Sequence, residues 1–238
     1  LFKYLTRIGH YMVEKKPDVV VHLGDFADME SLSSYDKGKK SFEGRRYIKD
    51  IQAATDAMSA LLGPLFAYNE KQKRSKGKLY KPRLVLTLGN HEHRIQRAIN
   101  DDPKLEGLIK YDDLPYGDWE VHDFLQPVFI EGVAYCHYFP TGVMGRPTTS
   151  ANQLVSKMHM SCIQGHQQGR QVAYGKRPDG STITCIIAGS CYEHDEGYLD
   201  HQSNKHWRGV LMLHEVNNGS FDEMFVSLDY LKKKYPKL

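Results

Sequence analysis

Apolar positions along this chain switch repeatedly between a three-to-four-residue spacing and short unbroken runs, the pattern of helices alternating with buried strands in an α/β protein. Phe2, Leu5, Ile8 and Met12 share one helical face, and a helix built on them should stop before Pro17. Val19, Val20, Val21 and Leu23 then form an apolar run of the kind a doubly covered strand shows, and it ends in Gly24 and Asp25. Ile48, Ile51, Thr55, Met58, Leu62 and Leu65 keep helical spacing and predict a long amphipathic helix over residues 46–68. A second buried-strand signature covers residues 84–88 and ends in Gly89 and Asn90.

The second half turns to short strands. Residues 129–131 and 133–136 flank Gly132 as a hairpin would, and residues 162–164, 171–174, 182–188, 208–216 and 221–228 are further strand candidates. Pro178-Asp179-Gly180 and Asn217-Asn218-Gly219 supply turns between them. With no internal repeat, linker or shift in composition, the expectation is one domain over residues 1–238, with two sheets and helices outside them.

Composition narrows the class. At 40% apolar and 26% charged residues, 238 residues can bury one sizeable core, which excludes a disordered tail or a disulfide miniprotein. Mean hydropathy is −0.55, and no apolar run approaches the ~18 residues of a spanning helix, so a soluble chain without a membrane partner is expected. Lys3, Arg7 and His10 break the N-terminal pattern, which is unlike a signal peptide. Cys136, Cys162, Cys185 and Cys191 form no C-x-x-C pair and fit a reducing, cytoplasmic setting.

The net charge of +3 conceals an asymmetry. Residues 37–46 hold Lys37, Lys39, Lys40, Arg45 and Arg46 against Glu43, and residues 71–81 hold Lys71, Lys73, Arg74, Lys76, Lys78 and Lys81 with no acid. Those windows carry +4 and +6, leaving −7 for the rest of the chain. Two readings stand: solvated loops, or a surface for a polyanion.

The chemistry gathers at strand ends, where ligand sites of α/β sheets lie. Gly24-Asp25-Phe26-Ala27-Asp28 and Gly89-Asn90-His91-Glu92 end the first two strands, His137 follows Cys136, and Gly165-His166-Gln167-Gln168 follows Gln164. An aspartate, an asparagine and two histidines suit Mn²⁺, Fe²⁺ or Zn²⁺ better than Ca²⁺ or Mg²⁺, because imidazole prefers the softer transition metals. Alone, each signal is an ordinary turn or histidine; in combination and in this order they carry weight.

Over residues 17–166 that combination resembles the calcineurin-like metallophosphoesterases, and the tail is similar to short members from bacteria and their phages. The resemblance implies a four-layer α/β/β/α sandwich with two mixed β-sheets and a two-metal site at the sheet ends. In it Asp25 would bridge two divalent ions, Mn²⁺ first among the candidates. Asn90, His137 and His166 would complete the second metal's ligands, and His91 would be the catalytic acid to the leaving oxygen. Asp28 and Glu92 are supporting or purely structural. Arg94 either reaches a substrate phosphate or forms a helix-face salt bridge. If the gene is phage-borne, the setting is the host cytoplasm.

Two features depart from the family pattern, and both affect the first metal. The opening D-x-H motif has no counterpart, so the expectation is either that it lies, with a first strand, upstream of Leu1, in which case two ions are expected, or that the protein has lost a metal. The second histidine of the closing Gly-His-x-His is Gln168, a weak neutral ligand.

The expected substrate is a phosphate ester, best a phosphodiester of a nucleotide or nucleic acid. Lys39, Lys40, Arg45 and Arg46 follow the Gly-Asp-x-x-Asp turn and should overhang the site, with Tyr35 and Phe42 able to stack on a base or simply to pack the loop. A phosphomonoesterase, or a binding module that kept the fold and lost the first metal, are the alternatives. His122, His159, His194, His201, His206 and His214 are read as hydrogen-bonding or packing residues, His194-Asp195-Glu196 as a polar loop, Trp207 as core and Arg208 as a cap.

Overall fold

The computed structural model describes residues 2–34, 38–195 and 203–238. Tyr35, Lys37, Glu196 and His201 lie outside the described residues. The chain forms two compact units, residues 1–124 with Leu238, and residues 125–237.

In the first unit α1 (Lys3–Lys15), β1 (Val19–His22), α2 (Tyr47–Arg74), β2 (Arg83–Thr87), α3 (Arg94–Asp101) and β3 (Glu120–His122) follow one another. The strands form a parallel sheet in the order β1-β2-β3, with Val19 opposite Arg83 and Val85 opposite Glu120. Its core joins Leu5 and Met12 of α1, Met58, Leu62 and Leu65 of α2, and Leu86, Leu88 and Ile95. Helix α2 outruns the sequence expectation: Lys71, Lys73 and Arg74 form its last turn, where cations offset the exposed carbonyl end. Three of the six cations of the second basic window therefore lie on helix, not loop. Strand β3 escapes a hydrophobicity reading because its exposed Glu120 is held by two hydrogen bonds from Arg83, both 2.8 Å.

The second unit contains β4 (Val128–Ile130), β5 (Val133–Cys136), α4 (Ala151–Met158), β6 (Cys162–Gln164), β7 (Gln171–Lys176), β8 (Thr182–Ile187), β9 (Gly209–Asn217), β10 (Ser220–Ser227) and α5 (Leu228–Lys234). A five-stranded mixed sheet runs β4-β5-β6-β8-β7, with β5, β6 and β8 parallel at its centre. Strands β9 and β10 pair only with each other, so the described residues hold three sheets where two were expected. The reason is local. Asn218 and Gly219 both have positive φ, 49° and 85°, which is the geometry of a two-residue hairpin turn. The hairpin docks by its tip, Gly219 N–H donating to the Glu131 carbonyl at 2.8 Å. The last strand stops at Ser227, whose hydroxyl accepts the Tyr230 N–H and caps α5.

Cys136, Cys162 and Cys185 are buried, and burial pushes the Cys136 thiol up to about 11, the behaviour of a small hydrophobe rather than a nucleophile. No described helix is long and apolar enough to cross a membrane.

Candidate metal and phosphate site

In the first unit the turns after β1 and β2 are fastened by one carboxylate. Glu92 is fully buried and accepts the backbone N–H groups of Asp25 (3.0 Å), Phe26 (2.7 Å), Ala27 (3.0 Å) and Gly89 (2.9 Å), together with the Tyr116 hydroxyl (2.9 Å). Five donors offset the cost of removing a charge from water, and they make the carboxylate a rivet between the two loops. Burial and the Glu92 charge push the Tyr116 phenol well up, which keeps its proton in that bond.

Asp25 takes a left-handed backbone, φ 56°, directly after Gly24 at φ 85°. Strain of that kind on a non-glycine residue persists where surroundings enforce it, and it concentrates at functional sites. Asp25 Oδ1 accepts the His91 N–H at 3.0 Å. Gly89 explains itself here: a Cβ at that position would stand 2.1 Å from Asp25 Oδ1 and 2.3 Å from its nitrogen. Asn90 sits beside it, its carbonyl accepting from Arg97 at 3.2 Å.

His91 Nδ1 is hydrogen-bonded to Asp28 Oδ1, while Nε2 lies 4.0 Å from Asp25 Oδ2 and 3.5 Å from Arg94 Nη2. Burial alone would lower the His91 pKa, but the bond to Asp28 and the charges of Asp25 and Asp28 outweigh it, and the net shift is upward. Burial alone would raise the Asp28 carboxyl; His91 and Arg94 hold it low instead. Arg94 Nη1 donates to the Asp28 carbonyl at 2.8 Å and reaches its carboxylate at 3.4 Å, so it ties α3 to the other loop rather than pairing along its own helix.

Of the basic candidates, Arg45 is engaged: it pairs with Glu30 at 3.2 Å and lies 5.7 Å over the Phe42 ring. Lys39, Lys40 and Arg46 are exposed around the short turn Lys40–Phe42. Phe42 thus packs under a cation, and Arg45 serves the loop rather than offering its charge outward.

In the second unit His137 follows β5 and is fully buried, and His166 follows β6 with φ 63°. His137 Nε2 and His166 Nδ1 are 3.2 Å apart, and Tyr138 lies against the His166 ring with centroids 4.9 Å apart. Two glutamines set this arrangement. Buried Gln164 accepts the Phe139 N–H at 3.1 Å and donates to the Thr148 carbonyl at 3.3 Å, and Gln167 donates to the same carbonyl at 2.8 Å. Gln168 is half-buried, with its carbonyl accepting from the Ser190 hydroxyl at 3.5 Å.

No family model, curated protein or solved structure matches this chain. The geometry therefore stands on its own. Two contributors had no clear sequence signal: Tyr116 is a single aromatic in a loop, and Arg170 is one cation among many. Gln164 had one, a polar residue closing an otherwise apolar buried strand. Asp195 pairs with Arg208 at 3.1 Å, which makes Arg208 a tie within its own loop. Trp207 is only half-buried, packed under Arg170 and against Phe225 instead of in the core.

Proposed function

We propose that this protein is a metal-dependent phosphoesterase acting on a phosphodiester of a nucleotide or nucleic acid, built as the four-layer α/β/β/α sandwich and working in the cytoplasm. The observation that carries the reading is the Asp28–His91–Arg94 cluster beside Asp25, held in place by buried Glu92. Asp25, Asn90, His137 and His166 would hold a divalent ion, Mn²⁺ in preference to Fe²⁺ or Zn²⁺, and Gln168 would add a weak oxygen. The donor chemistry fits: two imidazole nitrogens 3.2 Å apart have the separation of co-ligands at metal–nitrogen distances of about 2.0–2.1 Å. When bound, the ion supplies Lewis acidity toward water and a phosphoryl oxygen.

The chain's own groups do the rest. A water would lose a proton to solvent as its oxygen bonds to phosphorus, the bond to the leaving oxygen would break, and His91 would give that oxygen its proton. Asp28 fixes the His91 ring through Nδ1, so Nε2 is the proton-bearing edge toward substrate. Arg94, 3.5 Å from Nε2, would meet a phosphate oxygen, and exposed Lys39, Lys40 and Arg46 would attract the polyanion.

Hydrolysis of bis-p-nitrophenyl phosphate with Mn²⁺ tests this: turnover in the parent protein and its loss in His91→Ala are expected. Equal rates in the two proteins would leave the second reading, a binding module, which Gln168 in place of a ligand histidine favours. Faster turnover of the monoester with the same leaving group would make it a phosphomonoesterase.

A further inference from the structure

The segment bearing His166 and Gln168 is anchored at its start by Gln164 and Gln167, but its far end is held differently. Arg170, the residue before β7, places its guanidinium 4.7 Å from the Trp207 ring and 4.5 Å from the Phe225 ring, and the two rings meet edge to face at 5.6 Å. Phe225 belongs to β10 and Trp207 lies two residues before β9, so a cation set against two mutually perpendicular rings couples the hairpin to the segment that carries His166. Trp207 is itself locked from below: a Cβ at Gly209 would lie 2.5 Å from its six-membered ring, and one at Gly189 would lie 3.3 Å from it and 3.4 Å from both Arg170 Cβ and the Gln168 carbonyl. Trp207, the Arg170 side-chain stem and the Gln168 carbonyl therefore converge around Gly189, which has no room for a side chain. The open end of the hairpin is also tied by backbone, the Gly209 N–H donating to the Ser190 carbonyl at 2.9 Å, so the Arg170 contact is a side-chain link beside a main-chain one.

We propose that Arg170 is a positioning residue, which through its stack on Trp207 and Phe225 fixes the backbone from His166 to Gln168 and so sets the metal affinity of the site. The inference rests on the reading of His166 as a metal ligand. A left-handed residue such as His166 needs its flanks held at both ends, and a planar guanidinium against two rings does this where a lysine point charge would do so only in part. The side chain is outwardly exposed, so its removal leaves the core of the unit unchanged.

The test is calorimetric titration of the full chain with Mn²⁺ alone, for the parent, Arg170→Ala and Arg170→Lys, with thermal midpoints measured in parallel. Arg170→Ala should bind Mn²⁺ about 5- to 10-fold more weakly, at the low end of losses seen when groups that orient metal ligands are removed. Arg170→Lys should recover part of that, and tryptophan emission should shift in step with affinity. A lowered midpoint with unchanged Mn²⁺ affinity would overturn the proposal, since the clamp would then be structural only. Unchanged affinity in Trp207→Leu would overturn it too. No Mn²⁺ binding by the parent protein would sink the metal reading itself, a different failure.

Discussion

The two units organise their candidate residues by opposite means. In the first, a buried charge does it: Glu92 gathers four backbone N–H groups and a phenol, and Asp25, Gly89 and His91 are fixed as a consequence. In the second, neutral amides and stacked rings do it: Gln164 and Gln167 meet on the Thr148 carbonyl, and Arg170 clamps the far end from the surface. A charged rivet is rigid and intolerant, because any replacement strands several buried donors at once. An amide net loses its members one at a time. The cluster proposed to transfer a proton is thus the one held by the less tolerant device.

The sharpest probe of the first unit is His91→Ala, for which turnover of an activated phosphodiester should fall about 10³-fold, in the range of a lost general acid and worth about 4 kcal/mol. Metal content should be unchanged. Glu92→Gln should cost about 3 kcal/mol of stability, because an amide leaves donors facing donors, and the thermal midpoint should drop by about 10 °C. Gln164→Leu breaks the corresponding element of the second unit, and chemical denaturation should show a smaller loss of about 1.5 kcal/mol. Equal losses in the last two variants would erase the contrast between a charged rivet and a neutral net.

The smallest effect lies away from both clusters. Hydrogen bonds from Arg83 and His122 hold the Glu120 carboxyl down at about 2. A depressed folded-state pKa contributes stability above the unfolded value of about 4.3, and that contribution fades as pH falls through about 2. The pair is largely exposed, so screening keeps it small. Thermal midpoints of Glu120→Gln and the parent should differ by about 1–2 °C at pH 6 and converge toward pH 2.

How much of this was legible in the sequence follows the same division. The first unit's cluster sits in two contiguous motifs, so Asp25, Asp28, Asn90, His91, Glu92 and Arg94 could all be named, and only Tyr116 was missed. The role of Glu92 was open, because no sequence shows how many backbone donors converge on one side chain. The second unit's histidines were named from their strand ends, but Gln164, Arg170 and Trp207 act through contacts up to 55 residues apart that have no local signature. Periodicity located most strands but led to two sheets where the described residues hold three, since a hairpin that closes on its own turn looks in sequence like any other strand pair. It also ended α2 too early, because cations in a last helical turn resemble a charged loop.

The proposed ligand role of Asp25, Asn90, His137 and His166 is tested most directly by the Mn²⁺ content per chain after loading and gel filtration. Bound Mn²⁺ is expected in the parent protein, retained in His91→Ala and lost in both Asp25→Asn and His166→Ala. A chain that retains no Mn²⁺, Fe²⁺ or Zn²⁺, or one that keeps its ion after both ligand substitutions, would contradict it.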